Sequence, residues 1–422
     1  MRIRAAVLPP AAVAWFARPS SVWWGYAVVH LYFLGWMFSF IIHGQTFSDT
    51  EQYRAWAVAG FNPGESQEAI SPWVYPVLAQ IPIFLSDIAG PDQFLLVWTL
   101  IISALNAGAL LFLTGAGRRR AGIAPAWWWL VFTVFMGYLS FARVDGITAP
   151  IVLVALLFAA SRPVLATVLL SIATWIKVWP AAVLAPILIA SRKRARIIAA
   201  GAAVTAVVVA GTFWVGGIRH LFDFLTNQGE RGMQLEATFS TPWVWLSVLH
   251  IHGFRIADNT AINSTEVYGP GASVAAFLMQ PLFVLAAAIG AGLLIWALHK
   301  GAEREELFLE GALMMTTAFV VFNKVGSPQF ILWLAPVVVA GLTHDWDRWK
   351  VPSALLMAIA VTTFVIYPLF YTPLIHANPI MAAVLTSRNV LLVVLLYWSV
   401  RRTIELARKS RPGAASLATS AS

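Results

Sequence analysis

The sequence contains no cysteine and little charge, and both absences limit what the chain can be. Without cysteine the protein has no disulfides and no thiol chemistry, which suits an extracytoplasmic face. Only 11% of its 422 residues are charged while 59% are hydrophobic, which is too little polar surface to cover a soluble globule of this size. The composition therefore predicts an integral membrane protein without a large soluble domain.

Familiar metal-binding and nucleotide-binding motifs are absent as well. The sequence has no His-Glu-x-x-His motif, no Asp-x-Asp cluster and no Gly-rich phosphate loop. It also has no internal repeat, which a transporter built from two symmetric halves would show. We therefore expect no metal and no cofactor.

Short basic clusters separate the apolar runs and predict the orientation of the chain. The first run, 22–42, has no small-residue cleavage site, so we expect a retained helix with a cytoplasmic N-terminus. Loops rich in Lys and Arg, such as 118–120, 192–196 and 401–411, stay cytoplasmic. The net charge of +9 thus indicates topology and not nucleic-acid binding.

These patterns predict an all-α polytopic protein with about twelve membrane segments and two large extracytoplasmic loops, 43–91 and 217–271. The first loop should contain a short interfacial or re-entrant helix over 74–89. Both ends of 164–190 are basic, so that stretch should form two short helices that meet near Lys177. Residues 1–411 would form one membrane-embedded domain, and 412–422, rich in Ala and Ser, a disordered cytoplasmic tail with the C-terminus inside. The other crossings are expected at 22–42, 92–114, 123–141, 146–160, 198–216, 272–298, 307–325, 329–343, 352–372 and 379–400.

An acidic patch opens the first outer loop. The pattern over 49–59 predicts a short amphipathic helix on which Asp49 and Tyr53 share one face and Glu51 points away. A carboxylate beside a membrane helix costs free energy unless chemistry or pairing requires it, so Asp49 is a candidate catalytic residue. The alternative is that it only caps the helix.

Three cations lie in apolar segments, where each needs an anion or a route to water. Lys177 is flanked by tryptophans, and the alternative to function is that it reaches the outer interface. Lys324 and Gln329 lie in a Gly- and Pro-containing break between two helices, and such a break is tolerated mainly where it lines a cavity. Arg388 should fall in the outer third of the hydrocarbon, where its planar group matches a phosphate or a carboxylate.

Arg143 and Asp145 flank another outer turn. We interpret them as a local ion pair that orients this turn. Aromatic residues of the first outer loop, among them Trp73 and Tyr75, have faces on which a sugar ring can stack.

Four short motifs occur in order along the chain. They are Asp49-x-x-x-Tyr53, Tyr75-Pro76, Ile176-Lys177-Val178-x-Pro180 and, over 323–336, Asn-Lys-Val-x-Ser-Pro-Gln-Phe-x-x-Trp-x-x-Pro. An outer carboxylate, intramembrane cations and broken helices also suit a reaction between a lipid phosphate and an outside nucleophile. In this order the motifs resemble those of the family 87 glycosyltransferases of the GT-C superfold, in particular actinobacterial α-mannosyltransferases.

The resemblance implies an inverting hexosyltransferase of the plasma membrane with its active site outside. It would transfer mannose from polyprenyl-phosphate mannose to an envelope glycolipid or polysaccharide, with Asp49 as the base. Alternatives are an arabinofuranosyltransferase of the same fold, since the late motif has Gln329-Phe330 in place of a histidine-rich form, or a lipid or sugar transporter or flippase. Acceptor, linkage and oligomeric state stay open, as do the assistance of a divalent ion and the identity of the cation that contacts phosphate. The remaining candidate residues are Lys177, Lys324 and Arg388 for the donor phosphate, and Tyr53, Trp73, Tyr75 and Gln329 for substrate binding.

Overall fold

The computed structural model describes residues 9–60, 73–217, 221–222, 231–260 and 264–409, and these are mostly helical. A two-stranded antiparallel hairpin, β1 (Arg255–Asn259) and β2 (Ser264–Tyr268), pairs Arg255 with Tyr268. The helices are α1 Pro10–Phe16, α2 Pro19–Ile42, α3 Asp49–Ala59, α4 Gln80–Ser86, α5 Phe94–Leu113, α6 Ile123–Met136, α7 Asp145–Ala159, α8 Pro163–Ile176, α9 Ala181–Ala190, α10 Arg194–Trp214, α11 Thr241–Val248, α12 Ala272–His299, α13 Arg304–Val321, α14 Ala335–His344, α15 Trp346–Phe364, α16 Tyr371–Ile375 and α17 Pro379–Lys409.

Seven helical segments in the described residues are long and apolar enough to cross a membrane, so the chain is a multi-pass membrane protein. The predicted all-α polytopic architecture is confirmed. The five other predicted crossings correspond to α7, α8, α9, α13 and the 328–344 stretch, which are shorter or carry more charge. The count of twelve therefore stays a prediction. The seven segments are Pro19–Ile42, Pro91–Leu113, Arg120–Ser140, Arg194–Trp214, Ala272–His299, Trp346–Leu369 and Pro379–Lys409.

Packing is organised around α13, which is buried from Glu306 almost continuously to Val321. Helices α9, α12 and α17 surround it. A helix buried on all sides needs apolar residues all round. The carboxylates of Glu306 and Glu310 are exceptions, and they are compensated by Arg402 of α17, which lies within ion-pair distance of both.

Helices α7, α8, α9 and α13 run between two ends of the molecule. We call these ends the Asp49 face, where α3 lies, and the Arg304 face, where α9 ends and α13 begins. At the Asp49 face α8 ends at Ile176 and α9 starts at Ala181, so the predicted break near Lys177 is confirmed. At 1.5 Å per residue α9 is about 15 Å long, about half of a hydrocarbon core, so α9 alone is too short to cross a membrane.

The two loops predicted as extracytoplasmic both contain folded elements at the Asp49 face. The first has α3, a 3-10 turn at Val77–Ala79 and α4, in agreement with the short helix expected over 74–89. The second has α11 and the β-hairpin, which was not predicted because five-residue strands show too few positions of a period-two pattern. Parts of both loops, 61–72, 218–220, 223–230 and 261–263, and the predicted tail, 412–422, lie outside the described residues.

Candidate functional site

Asp49 occupies the first position of α3, and its carboxylate forms an ion pair with Arg143. Tyr53, one turn later, donates to the same carboxylate at 3.4 Å, while Glu51 is exposed, so the predicted shared face of Asp49 and Tyr53 is confirmed. The carboxylate reaches across to another element and does not serve as a helix cap. With 29% of its side chain exposed, Asp49 remains accessible to a ligand.

Arg143 and Asp145 do not pair with each other, so their interpretation as a local ion pair was wrong. They lie just before and at the start of α7, and each reaches a residue that is distant in sequence. Arg143 pairs with Asp49. Asp145 is fully buried and accepts hydrogen bonds from Lys177 Nζ at 2.6 Å and from Trp333 Nε1. Its position at a helix N-terminus also favours the negative charge.

Lys177 lies in an aromatic enclosure where α8 ends. Its Nζ is 5.2 Å from the ring centroid of Tyr75, 5.7 Å from that of Phe330 and 6.0 Å from that of Trp333. Only 13% of the side chain is exposed, and its partner is Asp145, so Lys177 faces the protein interior and not the outer interface. An ammonium has three N–H donors, and the bond to Asp145 leaves two for a ligand.

Tyr53 and Tyr75 are buried beside Asp49, and their hydroxyl oxygens lie 3.1 Å apart. Burial raises the pKa of both phenols above its usual range, and the Asp49 charge raises the pKa further. Both hydroxyls therefore stay neutral and can donate. Burial lowers the pKa of Arg143, but the charge and hydrogen bond of Asp49 together with Tyr367 and Tyr53 outweigh that effect, and the net shift is upward. Arg143 is thus a permanent cation at this site.

A second group of buried charges surrounds Glu236, a residue that the sequence analysis missed. Glu236 is 2% exposed, and burial raises the pKa of its carboxyl, an effect that the charges of Arg388 and Arg143 offset only in part. Arg388, also 2% exposed, donates from Nη2 to the backbone oxygen of Glu236 and, at 2.7 Å, to Asn389 Oδ1. No sequence signal sets Glu236 apart from the other four acids of its loop, Asp223, Glu230, Asp258 and Glu266.

The break after α13 packs directly against the Glu236 segment. The backbone oxygen of Lys324 accepts a hydrogen bond from Gln234 N at 3.0 Å. A Cβ at Gly326 would overlap the backbone of Glu236 and Ala237, so only glycine permits this close approach. Burial lowers the pKa of the Lys324 ammonium, although the nearby Glu266 carboxylate raises it. The break therefore places the backbone of Lys324 beside the segment that carries Glu236, while its ammonium lies near Glu266.

The predicted site residues thus fall into two neighbouring groups at the Asp49 face. Gln329 lies in the Pro328–Trp333 turn, is 7% exposed, and its Oε1 has no hydrogen-bond partner within the described part of the chain. Trp73 packs on Trp56, with ring centroids 4.7 Å apart, at the edge of the site. Arg143 interacts with both Asp49 and Glu236 and so connects the groups. The Asp49 group consists of Asp49, Tyr53, Tyr75, Arg143, Asp145 and Lys177, and the Glu236 group of Glu236, Lys324, Arg388 and Asn389.

Across the ranges that the structure describes, no group of three or more His, Asp or Glu side chains is placed to hold a metal ion.

Comparison with known proteins yields one match. A family model described as glycosyltransferase family 87 matches residues 73–323, more than half of the chain. The matched range includes Arg143, Lys177 and Glu236, whereas Asp49 precedes it and Arg388 follows it. No curated protein and no solved structure matches the chain.

Proposed function

The chain belongs to glycosyltransferase family 87, and from this membership we propose that it transfers mannose from polyprenyl-phosphate mannose to a glycolipid or polysaccharide of the cell envelope. The observation that carries the proposal is the accessible carboxylate of Asp49, held by Arg143 beside the Lys177–Asp145 pair. A base next to fixed cations is the arrangement that glycosyl transfer from a phosphate requires.

A lipid-linked donor fits the setting of the site. In the proposed orientation the Asp49 face is outside the plasma membrane and both chain termini are cytoplasmic, because the basic clusters lie at the other end of the helices. Nucleotide-activated sugars are cytoplasmic, so a transferase that works outside needs a donor anchored in the bilayer. Lys177 and Arg388 follow or belong to membrane helices, within reach of a phosphate at the membrane surface.

In the proposed reaction Asp49 accepts the proton of an acceptor hydroxyl. The acceptor oxygen then forms a bond to the anomeric carbon as the bond from that carbon to the phosphate oxygen breaks. The electron pair of the broken bond leaves with the polyprenyl phosphate, and the configuration at the anomeric carbon inverts. Arg143 holds Asp49 in place, since the two side chains form an ion pair.

The cations of both groups would stabilise the departing phosphate. Lys177 has two N–H donors beyond its bond to Asp145, and Arg388 has donors beyond those that bind the Glu236 backbone and Asn389. Lys324 adds a third positive charge, in the break that packs against the Glu236 segment and near Glu266. Charge that develops on the phosphate in the transition state is stabilised most by such fixed, partly desolvated donors.

The remaining candidate residues would bind substrate. The neutral hydroxyls of Tyr53 and Tyr75 can donate to a sugar or acceptor oxygen, and the free Oε1 of Gln329 can accept from a sugar hydroxyl. Trp73 offers a ring at the edge of the site on which a sugar can stack. No residue of this set is assigned to a particular sugar. Arabinofuranosyl transfer by the same mechanism is the second candidate, favoured by Gln329 at a position where some mannosyltransferases have a histidine-rich motif.

The test is transfer by the purified protein in lipid vesicles, with radiolabelled polyprenyl-phosphate mannose and an extract of envelope glycolipids as acceptor. A parallel reaction contains polyprenyl-phosphate arabinose, and a control omits the acceptor. Label in the glycolipid from the mannose donor supports the proposal. Transfer from the arabinose donor alone would replace the sugar and keep the mechanism, and transfer from neither donor would contradict the proposal.

A further inference from the structure

A cleft opens at the Arg304 face, at the opposite end of the helices from the Asp49 group. Two adjoining cavities, of about 350 and 280 Å³, share Arg192, Glu303 and Arg304 in their walls. Arg192 and Lys193 belong to the turn after α9, and Arg304 is the first residue of α13. We call this feature the Arg304 cleft.

The cations of the cleft have no carboxylate partners in the described part of the chain. Glu303 uses its carboxylate to cap α13, where it accepts from the backbone N–H groups of Glu305 at 3.0 Å and Glu306 at 2.6 Å. Glu305 is directed towards His344, 3.5 Å away. Neither acid of the cleft therefore neutralises Arg192 or Arg304, and an anion from outside can.

Arg304 is anchored, so that it presents a fixed charge to the cleft. Its Nη1 donates to the backbone oxygen of Ala190, the last residue of α9. A guanidinium has five N–H donors, and this bond leaves four in a planar fork that matches a phosphate. Arg192 and Lys193 are exposed and able to close on a ligand held there.

The other wall of the cleft is apolar. This wall distinguishes the cleft from a binding site for a small soluble anion. Helix α12, whose last turn borders the cleft, exposes Ile289, Ile295 and Trp296 in the manner of a surface that faces lipid. An acyl chain would follow this wall while its phosphate meets the arginines. The apolar lining includes Ala159, Ala160, Pro163, Ile187, Leu298 and Phe308.

We propose that the Arg304 cleft binds the phosphate of an anionic phospholipid from the leaflet at the Arg304 face. Binding of this lipid ties the end of α9 to the start of α13, two helices that pack closely along their length. The cleft is separate from the Asp49 and Glu236 groups, and it holds its lipid whether or not a sugar donor is present.

The experiment titrates phosphatidylglycerol into detergent-purified protein and counts bound lipid by native mass spectrometry, with phosphatidylcholine as the neutral comparison. The test variants are Arg192→Gln and Arg192→Gln/Arg304→Gln. The matched control is Arg118→Gln/Arg120→Gln, which removes two exposed arginines from the loop between α5 and α6. At about a factor of five in affinity for each charge, phosphatidylglycerol should bind roughly 5-fold more weakly to the single variant and roughly 30-fold more weakly to the double variant.

Each outcome decides for or against the cleft. Preference for phosphatidylglycerol that is lost in the cleft variants and kept in the control supports the proposal. An equal loss of this preference in the control and in the double variant would mean that the lipid is attracted to the basic surface in general, which would contradict the proposal. A wild-type protein without any preference for phosphatidylglycerol would also overturn the proposal. Displacement of the lipid by millimolar inorganic phosphate would identify a site for free phosphate. Arg192→Gln, at an exposed turn, serves as the decisive variant if the double variant fails to fold.

Discussion

Replacement of Lys177 by methionine should leave the Asp145 carboxylate buried without its cation. The side chain of Asp145 has no exposed surface, and its 2.6 Å bond from Lys177 Nζ would be lost while the bond from Trp333 remained. Removal of one partner from a buried pair costs about 3–5 kcal/mol. The N-terminus of α7 recovers about 1 kcal/mol of this by favouring the negative charge. We therefore expect Lys177→Met to lower the free energy of unfolding by about 2–4 kcal/mol.

The double variant Lys177→Met/Asp145→Asn separates the charge effect from packing. It removes both charges and keeps similar side-chain volumes, so the free energy of unfolding should return to within about 1 kcal/mol of the wild type. The measurement is reversible unfolding in mixed detergent micelles for both single variants and the double variant. The matched control, Lys300→Met, alters an exposed lysine and should change stability by less than about 0.5 kcal/mol.

Two results would refute this reasoning. One is a Lys177→Met variant that is no less stable than Lys300→Met, which would mean that Asp145 does not depend on Lys177. The other is a double variant as unstable as the two single effects added together, since a true pair must show a coupling energy.

Three further predictions concern other contacts at the Asp49 face. Gly326→Ala should cost about 1–3 kcal/mol of stability, because the added Cβ overlaps the neighbouring backbone. Gly292→Ala, whose added Cβ meets nothing within 4 Å, should cost nothing, and thermal unfolding of the two variants tests the difference. Trp333→Phe keeps one six-membered aromatic ring but removes part of the buried indole together with the N–H from which Asp145 accepts, so unfolding should show a loss of at least about 1–3 kcal/mol, and no loss would contradict the bond. Arg388→Lys should weaken binding of polyprenyl phosphate by about tenfold in a direct titration. A lysine lacks the planar set of N–H donors with which an arginine can bind the Glu236 backbone oxygen and a phosphate at the same time. Unchanged binding would show that Arg388 does not belong to the phosphate site.

Local patterns in the sequence were sufficient where the structure depends on near neighbours. Asp49 and Tyr53 share a face because they are four residues apart on one helix. The break at Lys177 was predictable because both ends of the stretch 164–190 are basic and are expected on the same side of the membrane. A stretch this short must therefore turn back near its middle.

The partners of the buried charges were not predictable, because they depend on how distant segments meet. Arg143 and Asp145 were paired with each other on the basis of proximity in sequence, although α7 turns them towards Asp49 and Lys177. Glu236 was missed for a similar reason. It lies in a long loop without periodicity, and its importance depends on Arg388, a residue of the last helix.

The most direct test of the proposed mechanism is the turnover of Asp49→Asn beside Glu51→Gln, both expressed and folded as the wild type. Both substitutions neutralise an acid of the first turn of α3, but Asp49 pairs with Arg143 whereas Glu51 is exposed. If Asp49 is the base, Asp49→Asn should lose about 10²–10⁴-fold in the rate of sugar transfer from the polyprenyl-phosphate donor, and Glu51→Gln should keep the wild-type rate. Full turnover by Asp49→Asn would contradict the mechanism.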